Sequence, residues 1–150
     1  MVELADVAGA EYSFARHEHA ELRAGLAELH DIADVAGRVP ATEAAAAIRR
    51  IRHWLAAVLV PHAAWEDSVI YPEIEEATGT KWATKLMRFE HFQIERSVQV
   101  LDQDILTLAQ PVVTHDQVCE IRSHILGLEA VLRAHIERED LFLLPILQMS

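Results

Sequence analysis

Hydrophobic residues recur along this chain at steps of three and four, and short polar segments interrupt the pattern in three places. Such steps place side chains on one face of an α-helix, so the pattern predicts amphipathic helices. The interruptions at 37–40, 78–80 and 110–113 contain the glycine, proline and threonine residues that end helices and form turns. The predicted helices of a single domain, residues 1–150, are 12–36, 43–78, 81–109 and 115–148.

Short connections between long helices make consecutive helices antiparallel. The sequence therefore predicts an all-α protein with an up-down-up-down antiparallel four-helix bundle. Thr42 is expected to cap the second helix, and Thr114 with Gln117 has the spacing of a capping box at the start of the fourth. Pro61 and Pro72 lie inside the second predicted helix and predict a distortion at each site.

The composition narrows the classes of function. Hydrophobic residues make up 51% of the chain and the formal net charge is -11, so neither nucleic acid nor an anionic membrane is an expected partner. The longest wholly apolar runs are far shorter than a membrane span, and the acidic first residues do not resemble a signal peptide. The single cysteine, Cys119, excludes an internal disulfide and is expected to be a surface thiol. These features favour a cytoplasmic protein.

Candidate chemistry comes from histidines that are followed, four residues later, by a glutamate. A four-residue step brings an imidazole and a carboxylate to one helix face, about 6 Å apart, where they can chelate a metal that accepts nitrogen and oxygen. Two of the pairs belong to an internal repeat, because residues 62–72 and 135–145 align without a gap. The three pairs are His62 with Glu66, His91 with Glu95, and His135 with Glu139.

One histidine on each predicted helix lies in phase with aliphatic residues. On the first helix His19 shares a face with Leu22 and Leu26, whereas His17 lies about 200° away. The same construction turns one histidine of each other helix inward. The expected inward set is His19, His62, His91 and His135, and the expected surface set is His17, His53 and His115.

Buried imidazoles and carboxylates predict a metal site. Three buried carboxylates could not remain ionised together without cations. Helix bundles resolve this conflict with two iron or manganese ions that share carboxylates. We expect two iron ions with carboxylate and oxo or hydroxo bridges, manganese being the second choice and zinc the third because it prefers four ligands. The expected bridges are Glu66 and Glu139; the other expected ligands are His19, His62, His91, Glu95 and His135.

These motifs resemble the hemerythrin-like family, also called the hemerythrin HHE domain, over nearly the whole chain. The resemblance rests on a histidine in the first helix, HxxxE in the second and fourth, a histidine with a ligand four residues on in the third, and a proline after the second and fourth motifs. Oxygen-carrying hemerythrins have HxxxH in the third helix, where this chain has Glu95. In the fourth motif Glu139 or Asp140 could be the bridge, and helical phase favours Glu139.

The resemblance implies small ligands such as hydrogen peroxide, oxygen or nitric oxide. An extra carboxylate at Glu95 should favour ferric over ferrous iron, which suits redox turnover better than reversible oxygen carriage. The expected function is catalase-like or nitric-oxide-linked decomposition of peroxide in oxidative or nitrosative stress, with Glu66, Glu95 and Glu139 as candidate catalytic groups. The alternatives are an oxygen- or iron-binding storage or sensor protein without turnover, and a helical interaction module with a vestigial site. A monomer or weak homodimer is expected.

Helical phase also makes predictions around the site. A buried cluster of His30, Asp102 and His124 is expected, because each lies eleven residues, or about three turns, from an inward histidine. Tyr71 lies about 180° from His62 on an ideal helix, so only distortion at Pro72 could turn it toward the metals. Tyr12 is likewise not expected to be a ligand. The expected walls of the site are Leu22, Val58, Ile94, Val131 and Phe142.

Overall fold

Four long helices form an antiparallel four-helix bundle in the computed structural model, which describes residues 3–149 and, of their side chains, those of residue 10 and residues 12–149. The helices are α1 (Glu3–Val35), α2 (41–78), α3 (Trp82–Leu108) and α4 (115–148). Helix α1 packs against α2 and α4, and α3 packs against the same two neighbours. No helix among the described residues is long and apolar enough to cross a membrane.

The ends of the helices agree with the sequence expectations in part. Helix α1 begins at Glu3, earlier than predicted. Thr42 does not cap α2, because that helix begins at Ala41 with Pro40 in the capping position and no side-chain cap. The capping box of α4 is confirmed, since Thr114 Oγ1 accepts from the Gln117 amide at 3.2 Å and Gln117 Oε1 accepts from the Thr114 amide at 2.8 Å.

Three π-helical turns interrupt α2 and α4, and each precedes a proline. Pro61, Pro72 and Pro145 all occupy the second position of the segment that follows a π turn. Proline has no N–H to donate to the carbonyl four residues back, and its ring clashes with that carbonyl, so the chain widens into a π turn without breaking the helix. The π turns are Leu55–Leu59 and Glu66–Ile70 in α2, and Glu139–Leu143 in α4, which ends in a 3₁₀ turn at Leu144–Gln148.

The apolar core divides into two clusters. The larger fills the half of the bundle that contains Leu29, Leu101 and Ile125. The smaller lies near the other end, where Ile70, Met87 and Leu144 meet. Between these clusters lies a layer of buried polar side chains: His19, His62, Glu66, His135 and Glu139.

Buried positions repeat every seven residues, as in Leu22 to Leu29 on α1 and Met87, Ile94 and Leu101 on α3. A seven-residue repeat falls about 20° short of two full turns of an ideal helix, so the core stripe drifts around each helix. At the positions eleven residues from the inward histidines the stripe has moved aside, although other residues eleven apart, such as Ala15 and Leu26, are both buried. An eleven-residue step alone therefore does not decide burial in this bundle.

The predicted cluster of His30, Asp102 and His124 is wrong for this reason. His30 is half-exposed and its Nδ1 lies 3.1 Å from Glu129 Oε2. Asp102 is exposed and accepts two hydrogen bonds from Arg52, at 2.9 and 3.0 Å. His124 pairs instead with buried Asp104 at 2.9 Å. These side chains form separate pairs at the edges of the core.

Candidate metal centre

The polar layer contains one histidine from each helix, and all four imidazoles turn Nε2 toward the middle of the bundle. His19, His62 and His135 are buried, and the His91 side chain is 9% exposed. Glu66 and Glu139 lie between the imidazoles and are buried. The π turns Glu66–Ile70 and Glu139–Leu143 begin at these two glutamates.

On one side of the layer, the imidazoles of His19 and His62 meet around two carboxylate oxygens. Their Nε2 atoms are 3.1 Å apart. Glu66 Oε1 lies 3.1 Å from His19 Nε2 and 2.7 Å from His62 Nε2. Glu139 Oε2 lies 3.3 Å from His19 Nε2. These two nitrogens and two oxygens define the first candidate metal position.

The second candidate position lies on the opposite side of the same glutamates. His91 Nε2 and His135 Nε2 are 3.0 Å apart. Glu66 Oε2 lies 3.1 Å from His91 Nε2, and Glu139 Oε2 lies 3.5 Å from His135 Nε2. Glu66 and Glu139 therefore belong to both positions, which is the placement of bridging carboxylates.

Each inward imidazole also pairs with a carboxylate on its outer side. Such a partner fixes the ring proton on Nδ1, orients the ring and makes Nε2 a stronger electron-pair donor. The four Nδ1 contacts are His19 with Asp140 at 2.8 Å, His62 with Glu18 at 2.5 Å, His91 with Asp67 at 3.2 Å, and His135 with Glu90 at 2.9 Å.

This geometry fits cations. When Nδ1 donates outward, the inward Nε2 atoms present lone pairs, and two lone pairs about 3 Å apart repel unless a cation lies between them. Glu139 Oε2 is buried and has no hydrogen-bond partner among the described residues. Two nitrogens and two oxygens at each position suit iron, manganese or zinc.

The charge of the carboxylates is reflected in the pKa of their neighbours. Burial lowers the pKa of His19, but its contacts with Asp140, Glu139 and Glu66 prevail and raise this pKa to about 11. Burial raises the pKa of Glu66, yet hydrogen bonds from His19, His62 and His91 prevail and hold it well below its ordinary value. The layer therefore strongly attracts positive charge, for which protons and metal ions compete.

Arginines lie behind three of the outer carboxylates. Arg23 forms a close ion pair with Asp140, and Arg16 lies 3.3 Å from the same carboxylate. Arg138 pairs with Glu90, and Arg88 lies 3.7 Å from Asp67. Burial raises the pKa of Asp140, but His19 and Arg23 prevail and lower it to about 2. The arginines therefore help to keep the outer carboxylates ionised.

Tyr71 reaches the centre, contrary to the expectation for an ideal helix. Its side chain is fully buried and its hydroxyl donates to Glu139 Oε1. The hydroxyl oxygen of Tyr71 also lies 3.3 Å from His91 Nε2. The π turn Glu66–Ile70 adds about one residue to the helical turn, which rotates the following residue by about 100°. Burial and the charges of Glu139 and Glu66 raise the pKa of Tyr71, so its phenol stays protonated.

Glu95 does not lie in the centre. Its side chain is exposed, and it belongs to neither candidate position. The core face of α3 is centred on Ile94 and Val98, and Glu95 lies on the far side of His91 from Ile94. The four-residue step from His91 therefore turns this carboxylate toward solvent.

Other expected positions show mixed outcomes. Phe142 is 68% exposed and does not wall the site, because it lies within the π turn Glu139–Leu143, where the ideal helical phase used for the prediction no longer holds. Leu22 and Ile94 are buried as predicted, whereas Val58 and Val131 are partly buried against the core.

Tyr12 packs with the smaller apolar cluster. Four residues that were predicted to lie at the surface are exposed. The four exposed residues are His17, His53, His115 and Cys119.

Glu18, Asp67 and Glu90 had no role among the sequence predictions, and Asp140 was considered only as an alternative bridge to Glu139. The chain contains a signal for them, because an acidic residue directly adjoins a predicted ligand in every motif. The adjoining acids are Glu18 before His19, Asp67 after Glu66, Glu90 before His91, and Asp140 after Glu139.

The chain matches the family model of the hemerythrin HHE cation binding domain over residues 11–147. No curated protein and no solved structure shows a significant match to it.

Proposed function

The chain belongs to the hemerythrin HHE cation-binding family, and from the geometry of its centre we propose that it is a cytoplasmic diiron protein that decomposes hydrogen peroxide. The reaction would be catalase-like or would use nitric oxide as reductant, in a response to oxidative or nitrosative stress. The observation that carries the proposal is the layer of four imidazoles, each backed by a carboxylate, around Glu66, Glu139 and the buried phenol of Tyr71.

Six side chains would hold two iron ions, which would supply Lewis acidity and redox chemistry when bound. Glu66 and Glu139 would bridge the two positions because each belongs to both groups. Glu95 is not needed as a ligand. The terminal ligands would be His19 and His62 at the first position and His91 and His135 at the second.

The outer carboxylates tune the centre toward redox turnover. Each imidazole that donates its Nδ1–H to a carboxylate becomes a stronger donor at Nε2, and strong donors favour the ferric state. This effect replaces the extra charge that the sequence led us to expect from Glu95. A centre that rests ferric is better suited to turning over peroxide than to reversible oxygen carriage.

Tyr71 provides a proton donor beside the reacting ligand. Cleavage of the peroxide O–O bond requires a proton at the departing oxygen, and a positioned acid accelerates such a step. The phenol retains its proton because burial and nearby carboxylates raise its pKa. In the catalase-like reaction, two hydrogen peroxide molecules yield two waters and one oxygen molecule, so protons are conserved.

An oxygen electrode tests the proposal. Iron-loaded protein with measured metal content should evolve oxygen from hydrogen peroxide faster than the same amount of free ferric iron. The double variant His62→Ala, Glu66→Ala should lose this activity together with its iron. Equal activity in the double variant and the wild type would contradict the proposal.

The alternative is an oxygen- or iron-binding storage or sensor protein. The burial of His19 and His62 supports this alternative, because only very small ligands could reach the first position. A diferrous form that binds oxygen reversibly, releases it under vacuum and leaves peroxide unchanged would establish the alternative.

A further inference from the structure

A cavity of about 300 Å³ lies between α2 and α3 and has His91 in its wall. The His91 side chain is 9% exposed, whereas those of His19, His62 and His135 are 0%, 3% and 4% exposed. His91 is therefore the imidazole of the centre that a molecule in this cavity can touch.

We propose that this cavity binds a small neutral aromatic reductant of the phenol or hydroquinone class, which supplies the electrons for peroxide reduction. The inference rests on the proposed function and adds an aromatic reductant to the electron donors named there, which are peroxide itself and nitric oxide. It also gives Glu95 a role, because this residue lies at the cavity and not at the metals.

The lining of the cavity accommodates an aromatic ring. Ala63 and Ala64 on α2 line it together with Phe92 on α3, which is 53% exposed, and the two small alanine side chains leave a slot in this lining. Leu59 and Val98 supply buried apolar walls. The volume is at the lower end of the range for small-molecule sites, which suits one aromatic ring, and Phe92 can contact that ring edge-to-face.

The charges of the cavity favour a neutral molecule with hydroxyl groups. Asp67 and Glu95 both line the cavity, and the whole chain has a formal net charge of -11. Arg88 also lines it, but donates to Glu75 at 2.5 Å and to the Asp67 carbonyl at 3.1 Å. An anionic reductant would be repelled, whereas a phenolic hydroxyl can donate to the Glu95 carboxylate.

The reaction balances with hydroquinone as the reductant. Hydroquinone loses two electrons and the protons of both O–H groups and becomes benzoquinone. Hydrogen peroxide accepts those electrons and protons, its O–O bond breaks, and two waters form. The ring would lie against the imidazole of His91, which is the shortest route for electrons from the cavity to the centre.

Binding can be measured without turnover. Zinc has no redox chemistry, so zinc-loaded protein titrated with phenol in NMR experiments reports the cavity alone. Phenol should shift the signals of residues around Ala63 and Phe92, with a Kd on the order of 1 mM. Ala63→Leu fills the slot and should weaken binding at least about 10-fold. Ala27→Leu, at an exposed alanine of α1, is the matched control and should bind as wild type does.

Two further variants keep the inference testable if Ala63→Leu does not fold. Phe92→Ala removes an exposed ring and should weaken phenol binding without filling the slot, and Glu95→Gln should weaken it through loss of the carboxylate acceptor. Unchanged phenol affinity in Ala63→Leu and Phe92→Ala, or signal shifts centred elsewhere on the bundle, would overturn the inference.

Kinetics with iron-loaded protein separate this inference from the proposed function. Peroxide-dependent oxidation of hydroquinone should saturate with hydroquinone, and Ala63→Leu should raise the KM for hydroquinone at least about 10-fold at unchanged iron content. Oxidation of hydroquinone by peroxide that is unchanged in Ala63→Leu would overturn the inference and leave the proposed function standing. Phenol binding at the cavity without any peroxide consumption would contradict the proposed function instead.

Discussion

In the half of the bundle that contains Leu101 and Ile125, the four helices meet through aliphatic side chains, whereas around Glu66 they meet through imidazoles and carboxylates. The aliphatic half also buries acids, but each has its own partners. Asp104 pairs with His124 at 2.9 Å, and Glu129 pairs with Arg133 at 2.5 Å.

The two halves differ in how strongly their side chains depend on one another. Aliphatic contacts are numerous and individually weak, so the loss of one leaves the others in place. In the polar layer, the single residue Glu66 contacts three imidazoles, those of His19, His62 and His91. Each of these rings also contacts a further carboxylate through Nδ1. Removal of one shared group there leaves several buried polar atoms without partners.

The largest expected effect is that of Glu66→Ala. Both candidate metal positions lose an oxygen ligand and three imidazoles lose a shared acceptor, so the metal content should fall from the proposed two ions per chain to less than one. Metal analysis after loading with iron measures this. The matched control is Glu129→Ala, which removes a buried acid from the aliphatic half and should leave the metal content at two. Equal losses in both variants would show that the halves are not distinct.

Leu101→Ala should have the next largest effect. Leu101 is fully buried in the aliphatic cluster, and truncation of such a leucine lowers the free energy of unfolding by about 2–5 kcal/mol. Denaturant titrations of the metal-free and iron-loaded proteins should show a similar loss, because the mutation lies outside the layer. A variant that folds but binds no iron would contradict the separation of the two halves.

Asp140→Asn should lower the metal affinity of the centre without abolishing metal binding. The amide cannot provide the negative charge that orients His19, and loss of such an outer partner lowers metal affinity by about 10- to 100-fold. Competition with a chelator of known affinity measures the change. An affinity equal to that of the wild type would mean that the outer carboxylates play no part in tuning the site.

The smallest effect is expected for Asp104→Asn. Burial raises the pKa of Asp104, although His124 opposes the shift, so the ionised form is less favourable in the folded than in the unfolded chain. The contribution of Asp104 to stability should therefore fall as pH rises from its ordinary value of 3.8 through its higher folded-state pKa. Asparagine should remove this dependence, with a change of about 1 kcal/mol at neutral pH for the altered hydrogen bond to His124.

The measurement for Asp104→Asn is the unfolding free energy of the metal-free protein across this pH range, compared with wild type. A steeper pH dependence in the variant would contradict the assignment. Unchanged metal content is expected, since Asp104 is in the aliphatic half.

Much of the fold could be predicted from the sequence, because helix periodicity and turn residues are local signals. The capping box at Thr114 and the exposure of His17 follow from residues only a few positions apart. The cluster expected from His30 could not be predicted correctly. Its failure comes from a slow drift of the core stripe around each helix, which depends on where the neighbouring helices pack and which residue spacing on a single helix does not reveal.

The sequence by itself determined which histidine of each helix turns inward and that Glu66 and Glu139 follow on the same face, because a four-residue step fixes that relation within one helix. Only the tertiary structure decided that the Tyr71 side chain lies in the polar layer and that the Glu95 side chain lies outside it. The position of Tyr71 depends on a π turn, and the position of Glu95 depends on which face of α3 packs against the neighbouring helices. The outer carboxylates also belong to the tertiary structure, because each contacts an imidazole of another helix. These imidazole–carboxylate pairs form only when the four helices pack in one register, and the periodicity of a single helix does not encode that register.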